Sequence, residues 1–348
     1  MGEPASRREV QTLSAADAPF IAADVGGTHA RIGLVRADGR GHVAVLRYRT
    51  YACSEYSDLA AILKTFIGRE TDAPVDCVAL ACAGCPVDGV VVNANLSWPV
   101  SIEDLRKNLG IRDLLLINDF EAVAHATRFV DSTATLLLAG PEEGEGPVVV
   151  VGPGTGLGSA VCIPGQPRPT VLATEAGQIN LAPVTARERD VLAALAGDSA
   201  YVPYEQILSG PGLCTLYGVL SRMADVRPAL DTPEAVTAAA LAGSDATAVV
   251  TLEMFCALLG SFVGNLVMLY GAGGGVYLTG GILPHICGFL KRSDFMPRFL
   301  DKGGMRAFLE RVPVRLMEHG QLGVIGAAGW ALDHIDSIGD RGMDAAAL

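Results

Sequence analysis

The residues of this chain that can do chemistry stand where its apolar runs break. At Asp24-Val25-Gly26-Gly27-Thr28 an apolar run reaches a carboxylate, two glycines and a threonine, and a second apolar run then resumes. The pattern returns in PVVVVGPGTGLGSAVCI, where Gly154-Thr155-Gly156 interrupt two apolar runs, and a further pair, Gly280-Gly281, closes GVYLT. Glycine permits positive φ and lets another group approach the backbone closely. Two such turns can wrap a polyphosphate in amide N–H donors, Thr28 and Thr155 adding hydroxyls and Asp24 meeting a hydrated magnesium ion. Each turn alone can equally be a plain tight hairpin. The GxxxxGK[ST] phosphate loop is absent. GxGxxG fails as well, because Leu157 stands where its third glycine would be and the apolar, β-branched SAVCI follows instead of a helix. Asp119 follows the apolar LLLIN, at the carboxyl end of an expected strand where ligand crevices open, and there it can receive a hydroxyl proton. It can also cap the helix expected over FEAVAHATRF.

These residues need elements to hold them. With 348 residues, 50% hydrophobic and 18% charged, the chain can bury a large core in two domains. Its net charge of -12 argues against a nucleic-acid or anionic-membrane partner, so a phosphate would be held by backbone amides or a metal. Residues 1–19 lack an apolar segment and read as a disordered arm, not a signal peptide. MGEPAS fits the myristoylation pattern, but nothing basic or apolar follows it. Met254 to Leu290 carries no charged side chain and contains Gly260-x-x-x-Gly264. Asn265, Gly273-Gly274-Gly275 and Pro284 break it into a buried helix, a glycine turn and a strand. Eight cysteines without a secretory signal suggest reduced thiols and a cytoplasmic location. Cys77, Cys82 and Cys85 have an iron–sulfur-like spacing, yet strand alternation sends Cys77 and Cys82 to opposite faces. Strands are expected over 20–24, 29–35, 75–81 and 114–117, and a helix between an N-cap at Ser101 and a stop at Gly110. Helical material follows over 186–270, and GQLGVIGAAGWAL forms a last helix able to return to the first domain. This alternation predicts α/β architecture with mixed sheets.

ADVGGTHARIGLV, INDFEAVA, GPGTGLGSAV, LATEAGQINLAP, EQILSGPGL and VYLTGGILP occur in the order seen in bacterial glucokinases, and the chain resembles that family over about residues 20–333. The resemblance implies a two-domain actin-like ATPase (ribonuclease H-like) fold with an inter-domain cleft. Its small domain would span 20–118 with a C-terminal helix at about 320–338, and its large domain 119–319. The activity implied is ATP-dependent, glycolytic phosphorylation of D-glucose to glucose 6-phosphate by a homodimer. The nucleotide and Mg2+ fall to Ala23, Asp24, Val25, Gly26, Gly27, Thr28, Gly154, Thr155 and Gly156, with Gly280 and Gly281 on the adenosine side and Asp24 at the metal. The sugar falls to Asn95, Ser97, Asn118, Asp119, Glu175, Gln178 and Glu205, with Asp119 as base for the 6-hydroxyl. Gln178 departs from the family's usual histidine, Pro153 from alanine, Ala23 from glycine and His29 from asparagine. Another hexose, another phosphoryl donor, or sugar binding with little catalysis stay open. The closely spaced Cys and His of the related repressor/open-reading-frame/kinase group are missing.

Overall fold

A computed structural model of the protein describes residues 18–37, 43–82, 85–87, 90–92, 98, 100–130, 135–166, 168–197, 199–317 and 320–339. The chain divides into two compact units, one of Met1–Ala122 with Gly323–Leu348 and one of Val123–Leu322.

In the first unit β1 (Phe20–Val25), β2 (His29–Ala37), β3 (Val43–Ala52) and β4 (Cys77–Cys82) join β8 (Asp113–Asn118) in a sheet ordered β3-β2-β1-β4-β8. Here β5 (Cys85–Val87), β6 (Val90–Val92) and β7 (Val100–Ser101) form a separate small sheet. The helices are α1 (Leu59–Glu70) and α2 (Ile102–Leu109), and α3 (Asp119–Ala126) begins in this unit and ends in the next. For α2 the expected punctuation is present, Ser101 accepting from the Asp104 N–H and Gly110 closing the helix at φ 65°. β1 and β2 are antiparallel, whereas β1, β4 and β8 are parallel. Parallel strands must be covered on both faces, and β1 shows how. Ile21, Ala23 and Val25 pack into a cluster with Leu59, Ile62 and Phe66 of α1. Phe20 and Ala22 face the other way.

The second unit has β9 (Thr135–Ala139), β10 (Val148–Pro153), β11 (Leu157–Ile163), β12 (Thr170–Thr174), β13 (Gly275–Leu278) and β14 (Val314–Met317), ordered β12-β11-β10-β13-β14-β9. Around them lie α4 (Ala186–Ala196), α5 (Gly210–Met223), α6 (Pro233–Ala242), α7 (Ala246–Tyr270), α8 (Cys287–Leu290), α9 (Phe295–Leu300) and α10 (Arg306–Leu309). α7 is long and apolar enough to cross a membrane, but 72% of its most apolar stretch is buried within the protein. Its Gly260 and Gly264 seat α9, because a Cβ at either would meet the carbonyl of Phe295 or Phe299. The charge-free segment is thus a core helix followed by a glycine turn and β13.

The last helix, α11 (Leu322–Gly339), covers the second face of the first sheet. Val324, Ala327, Ala328 and Ala331 pack there against Phe20, Ala22, Ala79 and Ile117. Its glycines let it press close, since a Cβ at Gly326 would collide with the Ala122 carbonyl.

Candidate active site

Side-chain alternation along β1 puts Asp24 on the face of Phe20 and Ala22, beneath α11. The first turn of that helix reaches it, for a Cβ on Gly323 would lie 2.5 Å from the Asp24 carboxyl carbon. A helix N-terminus carries unsatisfied N–H groups and positive potential, which suits a carboxylate. Arg31 stands directly opposite Asp24 in the hairpin and closes an ion pair at 3.3 Å, leaving Asp24 only 7% exposed. The turn between them is closed by the Gly26 N–H donating to the His29 carbonyl at 3.0 Å. Thr28 is exposed, its hydroxyl 3.1 Å from His29 Nδ1, while Ala23 and Val25 are core residues.

The parallel ladders align Asp24 with Ala81 and Ala81 with Ile117, so β1, β4 and β8 end on one edge. Two interstrand steps put these ends about 10 Å apart, and Asn118 and Asp119 follow Ile117 at once. At the head of α3 both side chains reach main-chain N–H groups. Asn118 takes the main capping role, its Oδ1 accepting from the Phe120 and Glu121 N–H groups at 2.9 and 3.1 Å. Asp119 accepts only from its neighbour Phe120 among these, at 2.9 Å, and is half-buried at the head of α3. Burial raises the Glu121 carboxyl above the usual carboxylate range, against the opposing pull of the Asn118 N–H and nearby His334.

In the second unit the Gly154 N–H closes its turn onto the Gly156 carbonyl at 2.8 Å. The Gly154 carbonyl in turn accepts from Gly210, the first residue of α5, at 2.8 Å. Thr155 is exposed, and a Cβ on Gly154 would meet open space. The Thr279 N–H donates to the Val151 carbonyl at 2.9 Å, which carries Gly280 against β10, where any Cβ would strike the Pro153 carbonyl. Of Gly26, Gly27, Gly154, Gly156, Gly280 and Gly281, only Gly280 has positive φ, at 100°. Gly156 is required by close approach, since a Cβ there would lie 2.5 Å from Glu205 Oε2.

Glu205 is half-buried in a single 3-10 turn, Tyr204–Gln206, not a solvated helix face as its sequence context alone would suggest. Its Oε2 accepts from the Leu157 N–H at 2.8 Å, and its Oε1 from Gln178 Nε2 at 2.9 Å. A bridge between Asn180 and Pro203, with the Leu181 N–H on the Val202 carbonyl at 2.8 Å, brings the two segments together. Gly177 lets the turn under Gln178 lie on β11, since a Cβ there would collide with the Leu157 carbonyl. Glu175 is exposed at the start of that turn, its carbonyl accepting from the Gln178 N–H at 3.0 Å, and Gly281 is exposed beyond Gly280. Asn95 and Ser97 fall outside the described residues; neighbouring Trp98 packs against the α1 side of the first core.

Three participants escaped the sequence reading. Arg31 could have been found by folding the hairpin, since residues directly opposite in an antiparallel pair share a face. Gly323 had only the small-residue character of its helix as a signal. Tyr201, whose hydroxyl bonds to Gln178, had none. Among the described residues no three of His, Cys, Asp and Glu converge as a metal site, and none of Cys53, Cys77, Cys82, Cys162, Cys214, Cys256 and Cys287 is in a disulfide.

Comparison with known proteins places the chain by family and by fold. The glucokinase family model matches residues 21–334. A glucokinase-like protein of Xylella fastidiosa is 46% identical over 324 residues, covering 91% of this chain and 97% of that one. The crystal structure of a glucokinase from an Antarctic psychrotroph superposes with a TM-score of 0.80 at 31% identity, covering 90% of this chain and 98% of its own. At the level of fold alone, a ROK family glucokinase from Streptomyces griseus, solved with glucose and AMPPNP, gives 0.61 at 22% identity over 90% of this chain and 99% of its own. The architecture is the mixed-sheet α/β fold of the actin-like ATPases, and the chain belongs to the glucokinase family.

Proposed function

We propose that this protein transfers the γ-phosphoryl group of ATP to the 6-hydroxyl of D-glucose, giving glucose 6-phosphate and ADP. The observation that carries the reading is the common edge at which Asp24 and the Asn118-Asp119 pair stand at the ends of parallel strands separated by β4 alone. Membership of the glucokinase family supports it, as do relatives named for glucose phosphorylation. The Streptomyces griseus protein of the same fold holds glucose together with a non-hydrolysable ATP analogue.

In this reading the Asp119 carboxylate accepts the 6-hydroxyl proton as the sugar oxygen attacks the γ-phosphorus and ADP departs. Asn118 keeps its carbonyl on the helix amides and directs its NH2 to the sugar. Glu175, Gln178 and Glu205 receive the remaining hydroxyls, which both donate and accept. The turns at Gly26–Thr28 and Gly154–Gly156 offer the phosphates main-chain N–H groups other than those of Gly26 and Gly154, which close the turns, and Gly280 with Gly281 borders the adenosine. Open space beside Gly154 suits a phosphate drawn close to the backbone.

The described residues build no closed cage for a divalent ion, which fits magnesium arriving on nucleotide phosphates and needing one or two carboxylates. Asp24 is the residue that would hold it, and the ion when bound neutralises charge on the phosphates. Turnover of glucose with Mg-ATP, compared with other hexoses because of Gln178, tests the activity. Asp119→Asn is expected to lower kcat by about 10²–10⁴-fold with glucose binding retained. Near-native turnover would remove Asp119 from the base role.

A further inference from the structure

We propose that Tyr201 is a positioning residue for sugar recognition, holding Gln178 so that its amide presents one fixed orientation beside the Glu205 carboxylate. The inference rests on the reading of Gln178 and Glu205 as sugar-binding residues. A glutamine amide has two orientations of nearly equal shape and opposite polarity. A carboxylate can only accept, so the NH2 corner must face Glu205, as it does at 2.9 Å. The other corner, Oε1, lies 3.3 Å from the Tyr201 hydroxyl, which also bonds the Gln178 main-chain oxygen at 2.5 Å. The hydroxyl has one proton, given to the main-chain oxygen and shared at the longer distance with Oε1, so one group ties residue 178 at its backbone and steadies the tip of its side chain.

Burial does not do this job. Gln178 is exposed and Tyr201 is 49% exposed, so without the hydroxyl the glutamine would keep rotamer freedom that sugar binding must remove. The tyrosine is delivered by pairing of its segment with that of Gln178, the Tyr204 N–H bonding the Ile179 carbonyl at 3.1 Å. Beyond Gln178 the chain of bonds continues through Glu205 to the Leu157 N–H, where the second glycine turn closes. An amide locked against a carboxylate offers a donor beside an acceptor at fixed spacing. That pattern matches two adjacent hydroxyls of a sugar, and a flipped amide would spoil it.

Tyr201→Phe removes the hydroxyl and little else. In steady-state assays with saturating Mg-ATP, the glucose KM should rise about 2- to 12-fold, the worth of one neutral hydrogen bond. The kcat and the ATP KM should stay within about 2-fold of native. In a Gln178→Ala background the same change should raise the glucose KM less than about 2-fold, because no amide remains to be oriented. An unchanged KM in the single variant, or equal losses in both backgrounds, would overturn the proposal. If the native chain phosphorylates no glucose, the proposed function fails first, and the tyrosine is judged by NMR instead. The Gln178 side-chain NH2 resonances, identified by their loss in Gln178→Ala, should shift toward those of a free glutamine in Tyr201→Phe. Resonances that do not move refute the tyrosine's role whether or not glucose is turned over.

Discussion

Gly156→Ala separates the close-approach account of the second turn from a purely conformational one. The new Cβ would sit 2.5 Å from Glu205 Oε2, where real Cβ contacts do not fall below 3.0 Å. The colliding atom is the end of a flexible side chain, so the carboxylate retreats by about half an ångström or more and the fold persists. That movement strains the 2.8 Å bond from the Leu157 N–H and shifts the partner of Gln178. A hydrogen bond to a charged group is worth about 1.5–3 kcal/mol, equivalent to a rise of roughly 10- to 150-fold in glucose KM. Steady-state kinetics with each substrate varied in turn, alongside a thermal melt, reads the effect. Gly154→Ala, two residues away, is the internal comparison: its Cβ meets no protein atom, so stability should hold while the ATP KM rises. A Gly156→Ala enzyme with native glucose KM would refute the reasoning, because displaced Glu205 could then have no part in holding the sugar.

Two further outcomes follow from electrostatics. Gln178→His would put an imidazole beside Glu205, whose carboxylate favours the charged form and lifts the imidazole above its ordinary value of about 6.5. The bond made by the protonated ring is then present at low pH and lost as pH rises through that raised value. The glucose KM should climb between about pH 6 and pH 8 relative to native, where residue 178 has no titrating proton; matching profiles would disprove this. Glu188, 3% exposed, pairs with Arg298 at 2.6 Å. Burial opposes its charge, but the Arg298 guanidinium and the Val184 and Thr185 N–H groups outweigh burial and hold the carboxyl below the usual range. Its contribution is therefore complete above the ordinary value of about 4.3 and disappears as pH falls through the lower folded value. Glu188→Gln should cost up to about 3 kcal/mol near pH 7 by leaving the largely covered Arg298 guanidinium without its anion, Ser261 still bonded to it. Urea unfolding should show the gap narrowing below about pH 4, and a gap independent of pH would contradict the assignment.

Local chain chemistry was enough to read the strands flanking both glycine turns, the Ser101 and Gly110 ends of α2, and the core nature of the segment from Met254. Apolar periodicity, caps and glycine breaks act within a few residues, so they are visible along the chain. The division of labour at Asn118 and Asp119 was not visible, because either side chain can cap the next helix and the chosen rotamers decide. Nor was the reason for Gly156, whose constraint is a carboxylate 49 residues later in the chain. The Asp24–Arg31 pair needed the hairpin register, and the nearness of Gly323 to Asp24 needed α11 to return across the sheet. Tyr201, Gln178 and Glu205 meet only because segments from Gln178 and Tyr201 onward pair over β11. Hydrogen bonds act over about 3 Å, so partners far apart in sequence become chemistry only when packing has set their distance.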